Sequence, residues 1–119
     1  MTIDDFHAFC TSLPHTFADF PFDQKTLVMR VGTKEHSRMF ALTNVEEFAF
    51  INLKTLPEES LRLQEKYAGT ITPGFHMNKK YWISVAMDEA LSDEYIEKLI
   101  EESYTLVLNG LPKKVREAL

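Results

Sequence analysis

The sequence predicts a single α+β domain, residues 1–119, built as an antiparallel β-sheet with helices packed on one face. Three observations predict this fold class. Segments near both ends of the chain carry apolar residues at helical spacing, and three consecutive segments between them alternate apolar and polar residues as strands do. The connections between those three segments are short and polar, which favours an antiparallel meander. A chain of 119 residues has the usual length of one domain.

Capping residues and helix breakers delimit the helices. Thr2 is a candidate N-cap for the first helix, and Pro14 ends it. Ser92 is the candidate N-cap of the longest helix, with acidic residues in the first turn, where the helix dipole favours negative charge. The expected helices cover residues 2–13, 57–67 and 93–109, with a short fourth helix after Pro112.

The strands place two unlike side chains on a common face. In the third strand, Ile51 and Leu53 share one face and Lys54 lies on the other; in the fourth, Trp82 lies opposite Ile83. If the aliphatic faces pack on the helices, Lys54 and Trp82 share the open face of the sheet. The expected strands are Thr26–Val31, Ser37–Thr43, Glu47–Lys54 and Tyr81–Met87.

Two further segments are expected to be loops. The first is rich in aromatic residues and follows the first helix; we expect it to cover one edge of the core. The second contains Thr72-Pro73-Gly74, a combination typical of loops. The aromatic-rich segment contains Phe17, Phe20, Pro21 and Phe22.

Composition indicates a globular cytoplasmic protein. Hydrophobic residues make up 45% of the chain, which is too many for a disordered one. The single cysteine, Cys10, cannot form an internal disulfide, as is typical of a reducing compartment. No basic and apolar leader is seen at the N-terminus, and no apolar run approaches the roughly 20 residues that span a bilayer. We therefore expect no membrane association.

The charge is unevenly distributed. A net charge of −5 opposes long-range attraction to nucleic acid. However, residues 66–87 contain three lysines and no acid, whereas residues 88–102 contain seven acids and only one lysine. The basic segment could attract anions locally, although both segments could equally be solvated faces.

Three stretches of the chain resemble the MmcQ/YjbR family. Leu53-Lys54 followed by Pro57 is similar to the family's LK-x-x-P junction. Residues 73–82 match its P-x-x-H-x-N-K-x-x-W run, and residues 103–107 followed by Leu111-Pro112 match its SY-x-L-V and LP ending. The resemblance implies a CyaY-like (frataxin-like) fold and DNA binding through a double-wing arrangement of hairpins. The chain departs from the family between its first two strands, where residues 32–40 are longer than the G-G-K-x-F turn and Arg38 stands in place of Lys.

The second motif carries the most chemistry. Lys79 could contact phosphate, Trp82 could stack on a flat group, and Asn78 could bind a base edge or the backbone. An architectural interpretation is also open, in which Asn78 caps a turn, His76 ties the loop to a carbonyl and Trp82 belongs to the core.

We predict a non-enzymatic, monomeric binding module for DNA or another nucleic acid. The alternative is a module that binds a protein partner or a small anionic ligand on the same basic and aromatic surface. Possible auxiliary cations are Lys113, Lys114 and Arg116. The candidate binding residues are Lys54, His76, Asn78, Lys79, Lys80, Trp82 and Arg38.

No catalytic, metal or cofactor motif is evident. Ser103 falls on the buried stripe of the last long helix, with no partner or glycine elbow that would make it a nucleophile, so we expect it to hold the helix against a neighbouring segment. The four histidines are dispersed, and no phosphate-binding glycine loop is present. The one metal hypothesis left open by the frataxin-like fold is loose iron binding along an acidic helix face. That face contains Asp93, Glu94, Glu97, Glu101 and Glu102.

Overall fold

The computed structural model describes all 119 residues. Four helices and six strands follow one another along the chain. They are α1 (Ile3–Ser12), β1 (Thr16–Asp19), β2 (Thr26–Gly32), β3 (Ser37–Asn44), β4 (Phe50–Lys54), α2 (Pro57–Lys66), β5 (Ile71–Pro73), β6 (Trp82–Ala86), α3 (Asp93–Asn109) and α4 (Lys113–Glu117).

The strands form one antiparallel sheet in the order β1-β2-β3-β4-β6-β5. The α+β class with an antiparallel sheet is therefore confirmed. Helix α3 packs across β2, β3 and β4, α1 contacts β1, and α2 contacts β5. None of the helices has the length and apolar character needed to cross a membrane.

The two faces of the sheet carry apolar clusters of very different size. The helix-covered face contributes to a core of 18 buried residues, which includes Phe6, Phe40, Ile51 and Ile100. The opposite face carries only a small cluster of Val28, Leu42 and Trp82, with Met39 and Met77 packed against it. Strand alternation produces this division, because successive side chains point to opposite faces. We call the second face the open face.

Two strands were not predicted, and the predicted start of a third is wrong by three residues. Strands β1 and β5 are edge strands of four and three residues, which pair with β2 and β6. Strand β4 begins at Phe50 rather than at residue 47. The preceding residues turn instead, because the Asn44 side chain accepts hydrogen bonds from the N–H groups of Glu46 and Glu47, and Phe48 has a φ of 43°.

The predicted N-caps are confirmed. The Thr2 hydroxyl accepts from the Asp5 N–H at 3.1 Å, and the Asp5 carboxylate accepts from the Thr2 N–H at 3.0 Å, which forms a capping box. The Ser92 hydroxyl accepts from the Tyr95 N–H at 3.2 Å. Cys10 is wholly buried, and burial raises the pKa of its thiol to about 12. The thiol is therefore part of the core.

Candidate functional site

Lys54 and Trp82 meet on the open face. They are antiparallel partners at the ends of β4 and β6, and the Lys54 Nζ lies 6.0 Å from the centroid of the indole ring. A cation over an indole face at this distance is attracted by the ring quadrupole. The two side chains share a face as expected. However, Trp82 is only 8% exposed, so its ring is not a free stacking surface.

Ser103 positions the backbone of Lys54. Its hydroxyl donates to the Phe40 C=O at 2.6 Å and accepts from the Lys54 N–H at 2.8 Å. The regular pairing of β3 with β4 ends one step earlier, at Ala41 and Leu53. The hydroxyl therefore bridges the two strands where their ladder stops. The expectation that Ser103 holds its helix against a neighbouring segment is confirmed.

The motif residues 73–82 form a compact loop that turns on Asn78. The Asn78 Oδ1 accepts from the Lys80 N–H, and the Asn78 C=O accepts from the Trp82 N–H, both at 3.0 Å. The turn-capping interpretation of Asn78 is thus confirmed. The Lys79 Nζ donates to the Gly74 C=O at 2.9 Å, and the Lys80 Nζ lies 5.6 Å from the Tyr81 ring centroid.

Buried polar side chains fix this loop to the sheet. Phe75 is held through both backbone groups, because its N–H donates to the Ser84 hydroxyl at 2.9 Å and its C=O accepts from the Asn52 amide at 3.1 Å. The Ser84 hydroxyl in turn donates to the Asn52 Oδ1 at 2.5 Å. Buried, fully satisfied networks of this kind restrict the backbone they hold. We call Asn52, Ser84 and the Phe75 backbone the loop anchor.

Three lysines of the candidate set belong to β4 and the 73–82 loop, near the start of β6, and lack acidic partners. Lys54 contacts Trp82, Lys79 binds the carbonyl of Gly74, and Gly74 itself donates to the Trp82 C=O. Lys80 adjoins Tyr81, whose C=O accepts from the N–H of residue 55. None of the three forms a salt bridge; the five ion pairs of the molecule involve other groups. We call Lys54, Lys79 and Lys80 the lysine cluster.

Arg38 does not join this cluster, and its predicted place on the same surface was wrong. It pairs with Val31, whose side chain is in the main core, so Arg38 lies on the helix-covered face. Its Nη1 donates to the Gly110 C=O at 2.9 Å, at the C-terminus of α3. A cation at that end of a helix is favoured by the dipole.

The auxiliary cations also lie apart from the lysine cluster. They belong to α4, which follows Gly110, the residue that Arg38 contacts. Lys113 lies 3.8 Å from Glu117, and the Arg116 Nε donates to the Leu111 C=O at 3.1 Å. Both contacts stay within the last residues of the chain, so these cations are not part of the lysine cluster.

His76 is exposed at the edge of an aromatic cavity that sequence reasoning missed. It has a left-handed backbone, with φ at 58°, and its ring centroid lies 4.0 Å from that of Phe75. Its side chain forms no hydrogen bond, so the architectural alternative, in which His76 ties the loop to a carbonyl, is wrong. The cavity measures about 320 Å³. It is lined by Phe22, Thr26, Leu42, Thr43, Asn44, Glu47, Phe50, Asn52, Phe75, His76 and Met77.

A larger cleft of about 720 Å³ lies between α2 and α3. Its apolar lining includes Leu63, Ile83 and Leu99. Its charged lining consists of Lys54 of β4, Glu59 of α2, and Lys98, Glu101 and Glu102 of α3. Opposite charges on the same walls do not select for the sign of a ligand. No group of three or more His, Cys, Asp or Glu side chains has a geometry that could hold a metal ion, and this holds for the acidic face of α3.

Comparisons with known proteins agree with the fold and the motifs. The model of the YjbR family matches residues 11–106. The protein YbdF of Escherichia coli O157:H7 is 40% identical over 103 residues, covering 86% of this chain and 80% of its own length. The protein YjbR of Escherichia coli K12 is 30% identical over 120 residues, covering 100% of this chain and 98% of its own.

A solved structure shows the same architecture. The crystal structure of protein DR2400 from Deinococcus radiodurans superposes with a TM-score of 0.92 at 39% identity. The match covers 98% of this chain and 86% of that one. Motifs, family model, relatives and structure all agree: the chain belongs to the YjbR family.

Proposed function

We propose that the chain is a non-enzymatic binding module that contacts nucleic-acid phosphates through the lysine cluster. The observation that carries this proposal is that three lysines from β4 and the 73–82 loop lie at one end of β6 and form no salt bridge. Phosphate contacts made by lysine supply most of the sequence-independent affinity of nucleic-acid-binding proteins. The net charge of −5 makes this local arrangement necessary, because the molecule as a whole repels phosphate.

Each lysine remains available to a phosphate. An ammonium group carries three donors, and the Lys79 Nζ uses one of them on Gly74, which also restricts its position. The cation–π contacts of Lys54 and Lys80 consume no hydrogen-bond donor. Acids are absent from residues 66–87, so no carboxylate of this segment competes for Lys79 or Lys80. Lys54 also lines the cleft that contains Glu59, Glu101 and Glu102 and forms no salt bridge with them.

The exposed rings beside the cluster favour a single strand over a duplex. Phe75 and Tyr81 are exposed on the same loop, whereas Trp82 is covered. Aromatic side chains next to basic ones are the usual surface for unpaired bases, each stacked base contributing about 1–3 kcal/mol. In this proposal Phe75 and Tyr81, instead of Trp82, stack on the bases. The Trp82 ring contacts the Lys54 ammonium group through the cation–π interaction.

A salt titration of oligonucleotide binding tests the proposal. Binding of a labelled single strand, followed by fluorescence anisotropy, should weaken steeply with salt. Lys80→Ala and Lys79→Ala should each lower the slope of log K against log salt by roughly one unit. Lys114→Ala on α4 is the matched control and should leave the slope unchanged. Absence of binding to any DNA or RNA at low salt would overturn the proposal.

A second candidate function is a protein-interaction surface on the same face. It is favoured by the exposure of two aromatic side chains, Phe22 at 65% and Phe75 at 55%. Exposed aromatic residues are enriched among the residues that dominate protein interfaces. Partners captured by the wild type, lost with Phe75→Ala and resistant to nuclease would favour this candidate over the first.

The finer structural and cellular assignments belong to the same proposal. We place the sheet in the CyaY-like class, with the 73–82 loop as the wing that carries the binding residues. The antiparallel sheet with helices on one face is compatible with that class. We expect a monomer in the cytoplasm.

A further inference from the structure

Aromatic rings form the walls of the cavity on the open face. The rings of Phe50 and Phe75 lie 5.6 Å apart between centroids and are inclined at 84°, so they form two walls of a corner. Phe22 lines the same cavity. The face of each ring carries the negative part of its quadrupole and attracts cations. The cavity volume of about 320 Å³ is at the lower end of the range for small-molecule sites.

Both walls are fixed by hydrogen bonds to their backbones. The loop anchor holds the N–H and the C=O of Phe75. The Thr43 hydroxyl donates to the Phe50 C=O at 2.8 Å. A half-exposed ring on a restrained backbone loses little conformational freedom when a ligand binds, which is the advantage of a preorganised site.

The one carboxylate of the lining favours a cation over an anion. No Lys or Arg lines the cavity, and Glu47 is the only acid there. Glu47 forms no salt bridge, unlike Glu46 beside it, which pairs with Lys25. The Asn44 Oδ1 accepts from the Glu47 N–H at 3.0 Å and fixes the turn that carries this carboxylate. A carboxylate beside aromatic faces is complementary to an apolar cation.

We propose that this cavity binds a small soluble molecule bearing a trimethylammonium or similarly methylated ammonium group. Methyl groups make such a cation large and weakly hydrated, so it loses little on leaving water and contacts several ring faces at once. The site uses a ligand of opposite charge to nucleic acid and no residue of the lysine cluster, although Phe75 also belongs to the stacking surface of the proposed function. It therefore goes beyond the proposed function and does not depend on it.

Choline and its neutral isostere 3,3-dimethylbutan-1-ol provide the test. The two molecules have the same shape and differ in charge. Titration at pH 8, followed through the ligand methyl protons by NMR, should show an upfield ring-current shift for choline. We expect choline to bind at least about fivefold more tightly than the isostere, the effect of one cation–π contact.

Variants identify the cavity as the place of binding. Phe75→Leu removes the aromatic face and keeps an apolar side chain, and Glu47→Gln removes the charge; each should weaken choline binding about three- to tenfold. Phe20→Leu is the matched control, because Phe20 is 47% exposed and lies outside the cavity. Lys80→Ala should also leave choline binding unchanged, which separates this proposal from the nucleic-acid one.

Three results would overturn the inference. Equal affinity for choline and the neutral isostere would show that the cavity binds apolar groups without regard to charge. Absence of any choline shift at millimolar concentrations would leave no cation site. Sedimentation with phosphatidylcholine vesicles without binding of free choline would mean that the protein recognises a lipid surface and not a small molecule.

Discussion

At the scale of the residue, Ser103 has the clearest single task. Its hydroxyl is fully buried and is both donor and acceptor between β3 and β4. Sequence alone predicted that this hydroxyl would hold its helix in place, because Ser103 lies on an apolar stripe and a buried hydroxyl needs a partner. It did not predict Phe40 and Lys54 as the partners, since they are 63 and 49 residues away and meet Ser103 only in the folded sheet.

Ser103→Ala should destabilise the protein by about 1–3 kcal/mol, because it leaves the Phe40 C=O and the Lys54 N–H without partners in a buried place. Urea unfolding followed by circular dichroism measures the change. Ser37→Ala is the matched control, since the Ser37 side chain makes no hydrogen bond, and it should change the free energy of unfolding by less than about 0.5 kcal/mol. Equal stability of the two variants would remove this role of Ser103.

The candidate residues also show which side-chain positions the alternation of a strand can predict and which it cannot. Strand alternation correctly placed Lys54 and Trp82 on one face, because the two-residue period is a property of the backbone. Alternation could not predict that Met39 and Met77 pack against the indole. Arg38 was misplaced for a related reason: nothing in the hairpin sequence reveals that the carbonyl of Gly110 receives its guanidinium.

At the scale of the element, the 73–82 loop combines a rigid base with exposed side chains. The loop anchor is buried beneath it, while Phe75, His76 and Lys80 are exposed above. The Asn78 turn was foreseen from the sequence because an asparagine bonds to its own neighbouring backbone. The loop anchor was not predicted, because it joins residues of β4 and β6 to the 73–82 loop and forms only in the folded sheet.

Ser84→Ala should loosen this loop without unfolding the sheet. The change removes the acceptor of the Phe75 N–H, so hydrogen exchange at that amide should accelerate by up to about tenfold. Amides of the β4–β6 ladder should keep their protection. Thr72→Ala on β5 is the control, because the Thr72 side chain makes no hydrogen bond. An unchanged exchange rate at Phe75 would contradict the anchoring role of Ser84.

The two edge strands are the part of the sheet that the sequence did not predict. The central strands have strong alternation and were found, whereas β1 and β5 are short and were assigned to loops. Their strand conformation comes from the unpaired edges of β2 and β6, with which they form hydrogen bonds. Because this conformation depends on pairing with another strand, a sequence of only three or four residues gives little indication of it.

At the scale of the whole molecule, the two faces of the sheet have different roles. One face is covered by helices and supplies stability through its core, while the open face carries the Lys54–Trp82 pair and the aromatic cavity. The cations of Arg38 and α4 are used elsewhere, at the end of α3. An anionic ligand should therefore bind at the lysine cluster, although the net charge of the molecule is −5.

NMR mapping of a short oligothymidylate at low salt tests this account most directly. A thymidine strand supplies phosphates and flat bases with little structure of its own. The account predicts that amide shifts concentrate at Lys54 and at residues 74–82, with α4 and the Arg38 hairpin unaffected. Shifts centred on α4 or that hairpin, or no shifts anywhere, would contradict it.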